Sequence, residues 1–184
     1  MIRLLSASFA RRIRYIERFR SARNASTAVE FAMIAPLFIG LLISVFETGI
    51  FFFAQQNLQA AAVQAGRSFL TGQAQSGGLT QGQLIGNICP SIQVLFTCSS
   101  LMVDVQSYAS FNGANASAPT LTYDSHGNVT NTWAYSPGTY GQIVVVRLIY
   151  QWPLLSGPFA LLLPNLANGT SLMMGVTAFR VEPY

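Results

Sequence analysis

Asp124, Ser125 and His126 are the residues whose types could form a hydrolytic triad. They are adjacent in the sequence, so their side chains cannot line up as nucleophile, base and orienting acid in the way that a triad requires. The chain has a single histidine and no lysine, and its glycines do not form a phosphate-binding loop pattern. We therefore predict that the protein is not an enzyme, binds no cofactor and has no small-molecule substrate.

The two cysteines, Cys89 and Cys98, lie nine residues apart on either side of Pro90. Two thiols and one distant histidine are too few ligands for a structural zinc site, so no metal is predicted. Both cysteines follow a long apolar segment, and disulfides form and persist on the outer side of a membrane. A Cys89–Cys98 disulfide is the favoured prediction, and two buried free thiols are the alternative.

The apolar segment Phe31–Ala54 contains 24 residues and one charge, Glu47. As a helix it would be about 36 Å long, which exceeds the hydrocarbon core of about 30 Å. A buried core helix is an alternative, but no other segment could surround it. A cleavable secretory signal is another, although such signals use only roughly 7–15 apolar residues. We therefore expect one transmembrane helix.

Basic residues are concentrated before this segment. Seven of the ten arginines lie within residues 1–25, opposed only by Glu17. The positive-inside rule then places this basic leader in the cytoplasm and the residues after about 55 on the far side of the membrane. The three later arginines are too few to form a nucleic-acid-binding face, so nucleic acid is excluded as a partner. The low charged fraction of 9% instead indicates a membrane partner.

Alanine-rich, helix-compatible sequence continues beyond the span and reaches a stop signal at Gly72. We predict a long helix over residues 26–72, containing the span 31–54, and an extracytoplasmic α+β domain over residues 73–184. Thr80 can cap a short second helix over Gln81–Ile88.

Three later segments combine β-branched and aromatic residues and predict strands: Leu101–Ala109, Ile143–Trp152 and Ser171–Val181. Thr120–Tyr123 and Asn128–Tyr135 flank a predicted hairpin turn at Asp124–Gly127. Apolar residues Phe159–Leu163 lie in a loop bounded by prolines. The predicted fold is α+β: one long N-terminal helix followed by a small antiparallel sheet, whose apolar face the second half of the helix covers.

Glu30 places an acid at the start of the apolar helix, where a carboxylate needs a partner or access to the interface. Snorkelling, or attraction to the positive end of the helix dipole, would explain a lone glutamate. The basic leader, the small residues and the string STAVEF at Ser26–Phe31 together resemble a type IV prepilin junction. The resemblance implies a cut by a prepilin peptidase between Ala25 and Ser26. It also implies that the new N-terminal amine of one subunit pairs with Glu30 of a neighbour.

Further strings narrow the resemblance to the TadE-like family of pseudopilins, which belong to the Tad (tight adherence) machinery that builds Flp pili. They are STAVEFAMIAPLF from Ser26, ETG from Glu47, AQQNLQ from Ala54 and AGR from Ala65, with weaker similarity at Asp104–Tyr108, Val145–Arg147 and Tyr150–Pro153. The resemblance implies a minor pilin of the bacterial inner membrane with a periplasmic C-terminal domain. Its partners would be other pilin or pseudopilin subunits and the Tad assembly platform, and it could enter a surface pilus.

Alternatives remain open at this point. The peptidase family prefers glycine before the cut, where this chain has Ala25; an uncut chain would act as an anchored assembly factor. A soluble binding module, exported and released near Ala54–Ala62, is a third possibility. Phe31, Glu47 and Arg67 are candidates for subunit contacts, although Glu47 could simply reach the interface and Arg67 could be an ordinary surface cation.

Overall fold

The computed structural model describes residues 23–154, 166 and 169–183, with side chains from residue 27 onward. The chain divides into two compact units, residues 1–46 and 47–184. Most of the predicted basic leader and the predicted loop with Phe159–Leu163 lie outside the described residues.

A single helix, α1, extends over Arg23–Leu70 and contains Pro36. In the first unit its apolar side chains are exposed on every side, as Phe31 at 73% and Leu37 at 73% illustrate. By length and composition this helix could cross a membrane, and it is the one such helix among the described residues. The predicted long helix is confirmed, beginning at the first described residue and ending two residues before the predicted stop.

Within the second unit, α1 has one buried stripe. Its members recur at helical spacing: Ala54, Leu58, Ala61, Ala62, Ala65 and Phe69. Four of these six are alanines, whose small side chains allow a neighbouring element to approach closely. The stripe belongs to the same hydrophobic core as the apolar side chains of the sheet, such as Val146 and Leu148. The prediction that the second half of the helix covers the sheet is confirmed.

The sheet has three antiparallel strands in the order β1-β2-β3, namely β1 Met102–Tyr108, β2 Ile143–Trp152 and β3 Ser171–Arg180. All three predicted strands are confirmed to within one residue at each end. The central strand β2 is buried from Ile143 to Tyr150, which agrees with its nearly continuous apolar sequence. Asp104 of β1 and Val176 of β3 lie on either side of Arg147 in the register.

Two shorter helices follow α1: α2 at Gln73–Ser76 and α3 at Gln81–Ile92. The predicted cap at Thr80 is present, since its hydroxyl accepts from the Gln83 N–H while the Gln83 side chain accepts from the Thr80 N–H. The helix continues four residues beyond the predicted end and passes through Pro90. A proline removes one helical hydrogen bond, but burial of one face holds α3 together through it: Leu84, Ile88 and Ile92.

The predicted hairpin around Asp124–Gly127 is only partly correct. The turn forms, with Thr130 N–H donating to the Thr122 carbonyl at 2.8 Å, but the flanking segments make a single antiparallel bridge and no strand. Their other hydrogen bonds are made elsewhere: the Asn131 side chain binds Thr122 and Thr120, and Tyr135 forms a separate parallel bridge to Val105. In the turn, hydrogen bonds from the Asn128 side chain and then its backbone N–H lower the pKa of Asp124 below its ordinary value.

Cys89 of α3 and Cys98 form a disulfide, with their Cα atoms 5.8 Å apart. The favoured prediction for the two cysteines is therefore confirmed. The bridge closes the turn that leads from α3 back to β1.

Replacing both cysteines by serine is expected to lower the free energy of unfolding by about 2–3 kcal/mol, because the unfolded chain then regains the freedom of the closed loop. Urea unfolding of the full-length protein in detergent micelles, followed by near-ultraviolet circular dichroism, measures this. Reduction of the wild-type protein should give the same loss, and an unchanged transition in both cases would contradict the prediction.

Candidate functional site

The predicted processing site lies at the start of the described helix. Ala25 and Ser26 are both within α1, five and four residues before Glu30. Glu30 and Phe31 are exposed, so both present their side chains to whatever surrounds the helix. Processing and pairing at this junction remain predictions.

The other two predicted contact residues are far apart. In the second unit, Glu47 and Arg67 are separated by twenty residues of α1, or about 30 Å. Glu47 is half-buried and Arg67 is exposed. Arg67 occupies the last turn of the helix, where a cation is favoured by the helix dipole. The structure therefore does not bring these residues into one site, and each would act on its own part of the helix.

Two glutamines of α1 bind the free edge of β3. The Gln55 side-chain amide donates to the Met174 carbonyl at 2.9 Å. The Gln59 amide donates to the Val176 carbonyl at 2.8 Å and accepts from the Val176 N–H at 3.0 Å. Four residues of helix rise about 6 Å, close to the roughly 6.8 Å between alternate residues of a strand. Matching these repeats lets successive helical turns satisfy successive edge groups.

The opposite edge of the sheet is covered as well. Gln81 of α3 donates its side-chain amide to the Val103 carbonyl at 2.6 Å. Val105 donates its N–H to the Ala134 carbonyl at 2.9 Å and accepts from the Ser136 N–H at 2.8 Å. Exposed strand edges recruit other strands, and these contacts occupy part of both edges. A binding partner would therefore contact this sheet mainly through side chains and not by adding a strand to an edge.

Helix α1 and the sheet approach each other closely at two glycines. A Cβ added to Gly175 of β3 would lie 2.5 Å from the Leu58 carbonyl oxygen and 3.1 Å from the Gln59 Cα. A Cβ added to Gly66 of α1 would lie 2.8 Å from Cγ2 of Thr177. Each glycine therefore admits a neighbouring element where a side chain would collide with it.

A buried ion pair joins the centres of β1 and β2. The Arg147 Nε donates to Asp104 Oδ2 at 2.9 Å, and a second guanidinium nitrogen contacts the same oxygen. Arg147 also donates to the Ser117 carbonyl at 3.2 Å. The other carboxylate oxygen accepts from the Ala134 N–H at 2.9 Å, and the Gln106 amide adds a further donor. Through these hydrogen bonds the ion pair connects the loop residues Ser117 and Ala134 to strands β1 and β2.

Sequence reasoning missed this pair as a functional unit. The signal was present, because Asp104 and Arg147 each stand alone within an apolar strand sequence. A lone charge in a buried strand requires a partner of the opposite sign. Asp104 and Arg147 carry opposite charges and lie in consecutive predicted strands, so the sequence was sufficient to propose an ion pair between them.

Among the described residues, no group of three or more histidine, cysteine, aspartate or glutamate side chains is placed to hold a metal ion. The first half of α1 exposes apolar side chains, and the second half is packed into the sheet domain. The exposed apolar half is suited to packing against lipid or against other helices.

A comparison with curated proteins and one with solved structures yield no match. The model of the TadE-like protein family matches residues 25–67. This segment begins at the predicted processing site, includes the apolar half of α1 and ends at Arg67. It is the segment that carries the strings on which the resemblance rests. Residues 25–67 are therefore similar to the TadE-like protein family, which is the resemblance that the sequence predicted, and this similarity suggests involvement in Tad pilus assembly.

Proposed function

We propose that this protein is a minor pilin or pseudopilin of a Tad pilus. In this proposal it is inserted in the bacterial inner membrane with residues 1–25 in the cytoplasm and the sheet domain in the periplasm. A prepilin peptidase cuts between Ala25 and Ser26. The helix then packs with other pilin or pseudopilin subunits as the Tad assembly platform draws the protein into a filament.

The observation that carries the proposal is the exposure of the apolar side chains of α1 within the family segment. Between Val29 and Phe53 the large hydrophobic side chains are mostly exposed, and the same residues lie within the TadE-like match. An all-round apolar helix requires lipid or other helices around it. A subunit that moves from a membrane into a helical bundle meets both environments in turn.

Glu30 supplies the specificity in this proposal. A carboxylate and an ammonium group are each costly in lipid, but together they offset much of that cost. The amine of Ser26, freed by the cut, would supply the ammonium group to Glu30 of an adjacent subunit. Pairing between copies would then set the axial register of neighbouring helices.

Sequencing the N-terminus of the mature protein tests the processing step. The proposal expects Ser26 as the first residue. An intact start, or loss of Met1 alone, would instead support the uncut assembly factor. A first residue beyond about position 55 would support the exported module. Against that module, Ala54, Leu58 and Ala62 are fully buried, so such a cut would remove part of the domain core.

A Glu30→Ala variant is expected to lose pilus assembly while the protein still accumulates in the membrane, because the amine of the neighbouring subunit then has no partner in lipid. Counting surface filaments and measuring the processed protein in membranes checks both parts. Glu182→Ala, which removes an exposed carboxylate near the C-terminus, serves as the control and should assemble normally. Normal filaments with Glu30→Ala would count against the proposed pairing.

The uncut assembly factor is kept as a second candidate because of Ala25. The peptidase of the resembled family prefers glycine at that position. Ala25→Gly is therefore expected to leave processing unchanged if the native chain is already cut. If the native chain stays uncut and Ala25→Gly becomes cut, the second candidate is favoured.

A further inference from the structure

Within the second unit the sheet has a defined direction along α1. Gln55 binds Met174 near the start of β3, whereas the Leu70 carbonyl accepts from the Glu182 N–H just beyond its end. The sheet end made by the start of β1, the end of β2 and the start of β3 therefore lies toward Phe51–Phe53, at the N-terminal end of the part of α1 that belongs to this unit. We call it the entry end; its strand residues are Met102, Trp152 and Ser171.

The apolar run of α1 does not stop before the domain begins. Ala54 is 0% exposed in the domain core, and Phe51 is partly buried against that core. Phe52 and Phe53, in the same helical turn, are 60% and 64% exposed. If lipid covers these two phenylalanines, no length of polar helix remains to separate the domain from the bilayer. The entry end must then lie at the membrane surface.

The side chains at the entry end suit such a surface. Val94 is 89% exposed in the disulfide-closed turn. Two residues later Phe96 packs on Tyr150 and Trp152, with ring centroids 4.9 and 5.7 Å apart. Trp152 is half-buried, so part of its ring remains accessible. Tryptophan and tyrosine favour the level of the lipid headgroups, where an amphipathic ring contacts both apolar and polar surroundings.

The described segments that form the entry end carry no charged residue of their own: 89–102, 148–154 and 169–175. Two charged residues adjoin them, namely Asp124, which follows the Tyr123 whose hydroxyl accepts from the Gln151 amide, and Glu47, which lies one helical turn before Phe51. Arg180 and the backbone of Glu182 lie at the opposite end of the sheet. An uncharged surface can enter the interface without the cost of desolvating an ion, and it needs no anionic lipid to do so.

We propose that the entry end, with Val94 and Trp152 as its leading side chains, rests in the lipid–water interface of the leaflet from which α1 emerges. The proposal depends on the membrane insertion of α1 that is part of the proposed function. The occupant of this surface is lipid, since the exposed Phe52 and Phe53 of the same unit adjoin it and need an apolar environment. The contact between the entry end and lipid holds the domain against the bilayer before assembly. It is released when the helix leaves the membrane.

The chain contains two tryptophans, which makes this testable by fluorescence quenching. Trp133→Phe leaves Trp152 at the entry end, and Trp152→Phe leaves Trp133. Trp133 precedes Ala134, whose N–H binds Asp104 in the middle of β1. The full-length variants are placed in phosphatidylcholine vesicles whose acyl chains are brominated close to the headgroup. We expect quenching of Trp152 to be at least about twice that of Trp133. Equal, weak quenching of both would overturn the proposal.

A charge at Val94 provides the matched test. In the Trp133→Phe background, Val94→Asp is expected to reduce quenching of Trp152, because an aspartate resists entry into the interface. Tyr140→Asp adds the same charge at another exposed side chain, two residues before Gln142, which accepts from the Val181 N–H at the far end of the sheet. It should leave quenching unchanged. Near-ultraviolet circular dichroism checks the fold, and equal effects of the two variants would contradict the proposal.

A tryptophan at a third position distinguishes failure of membrane insertion from failure of the surface proposal. Leu41→Trp, with both native tryptophans replaced by phenylalanine, places a reporter within the apolar segment, where Leu41 is exposed. Lipids brominated deep in the acyl chain should quench it. If Leu41→Trp is quenched and Trp152 is not, insertion stands and the surface proposal fails, leaving a protein partner for the entry end. If Leu41→Trp is not quenched, the proposed insertion fails as well.

Discussion

Replacing Arg147 with alanine is expected to lower the free energy of unfolding by about 3–5 kcal/mol, because the change leaves Asp104 buried without its counter-charge. Asp104 is 2% exposed and Arg147 is 6% exposed, so bulk water solvates neither charge in the folded protein. The hydrogen bond to the Ser117 carbonyl is lost as well. Urea unfolding of the full-length protein in micelles, followed by near-ultraviolet circular dichroism, gives the free-energy difference.

Arg180→Ala is the matched control, since Arg180 is exposed and binds only the Gly141 carbonyl among the described partners. We expect it to change stability by no more than about 0.5 kcal/mol. An informative second variant replaces Arg147 with methionine and Asp104 with leucine together. Because two apolar side chains leave no unpaired charge, the double variant should be more stable than Arg147→Ala. Equal losses for Arg147→Ala and Arg180→Ala would contradict the role of the pair.

Gly175→Ala is expected to destabilise the domain by about 3 kcal/mol, at the upper end of the usual range for overpacking. The added Cβ would meet backbone atoms of Leu58 and Gln59, which no change of rotamer can move. Relief requires α1 to shift away from β3, which weakens the amide bonds of Gln55 and Gln59. The same urea titration measures the loss, and exchange of the Val176 amide hydrogen reports the weakened edge.

Gly86→Ala in α3 is the control for this change. A Cβ at Gly86 meets nothing within 4 Å, so alanine should stabilise the helix by about 0.5–1 kcal/mol. The two glycine variants are thus expected to have effects of opposite sign. A neutral Gly175→Ala with normal exchange at Val176 would show that the helix and strand separate more easily than their contacts imply.

The elements of this fold were predictable because their sequences satisfy local rules. The strand β2 is a run of β-branched and aromatic residues, and the alanine-rich second half of α1 is a helix-compatible stretch that ends near Gly72. Thr80 and Gln83 form a recognisable capping box. In each case the pattern that selects the secondary structure lies within a few residues of the chain.

The contacts that join these elements could not be predicted in the same way. The opposite charges of Asp104 and Arg147 allowed these two residues to be paired, but the sequence does not give the contacts that surround the pair, such as those with Ser117 and Ala134. A shift of one residue in strand register would move either side chain to the other face of the sheet. Gln55 and Gln59 look like ordinary polar residues at the end of a span. Their role appears only when the helix lies along the edge of β3. Gly175 gave a partial signal, since glycine within a strand often marks a close backbone approach.

The junction at Ala25 to Glu30 was interpreted from a sequence motif and not from side-chain geometry. The acid is notable because of its position before an apolar helix, which is a property of the sequence. Its expected partner belongs to another copy of the protein. The family match covers this junction and the helix that follows it, over residues 25–67.

The glutamine contacts between α1 and the edge of β3 also determine how the domain responds to force. The bonds from Gln55 and Gln59 are arranged in succession along the helix, so a pull along its axis loads them together in shear. Peeling would load them one at a time and would need less force. In the proposed function, a subunit that is drawn from the bilayer by its helix is therefore expected to carry its sheet domain along intact. The limit on that motion is set by the rate of forced unfolding of the domain.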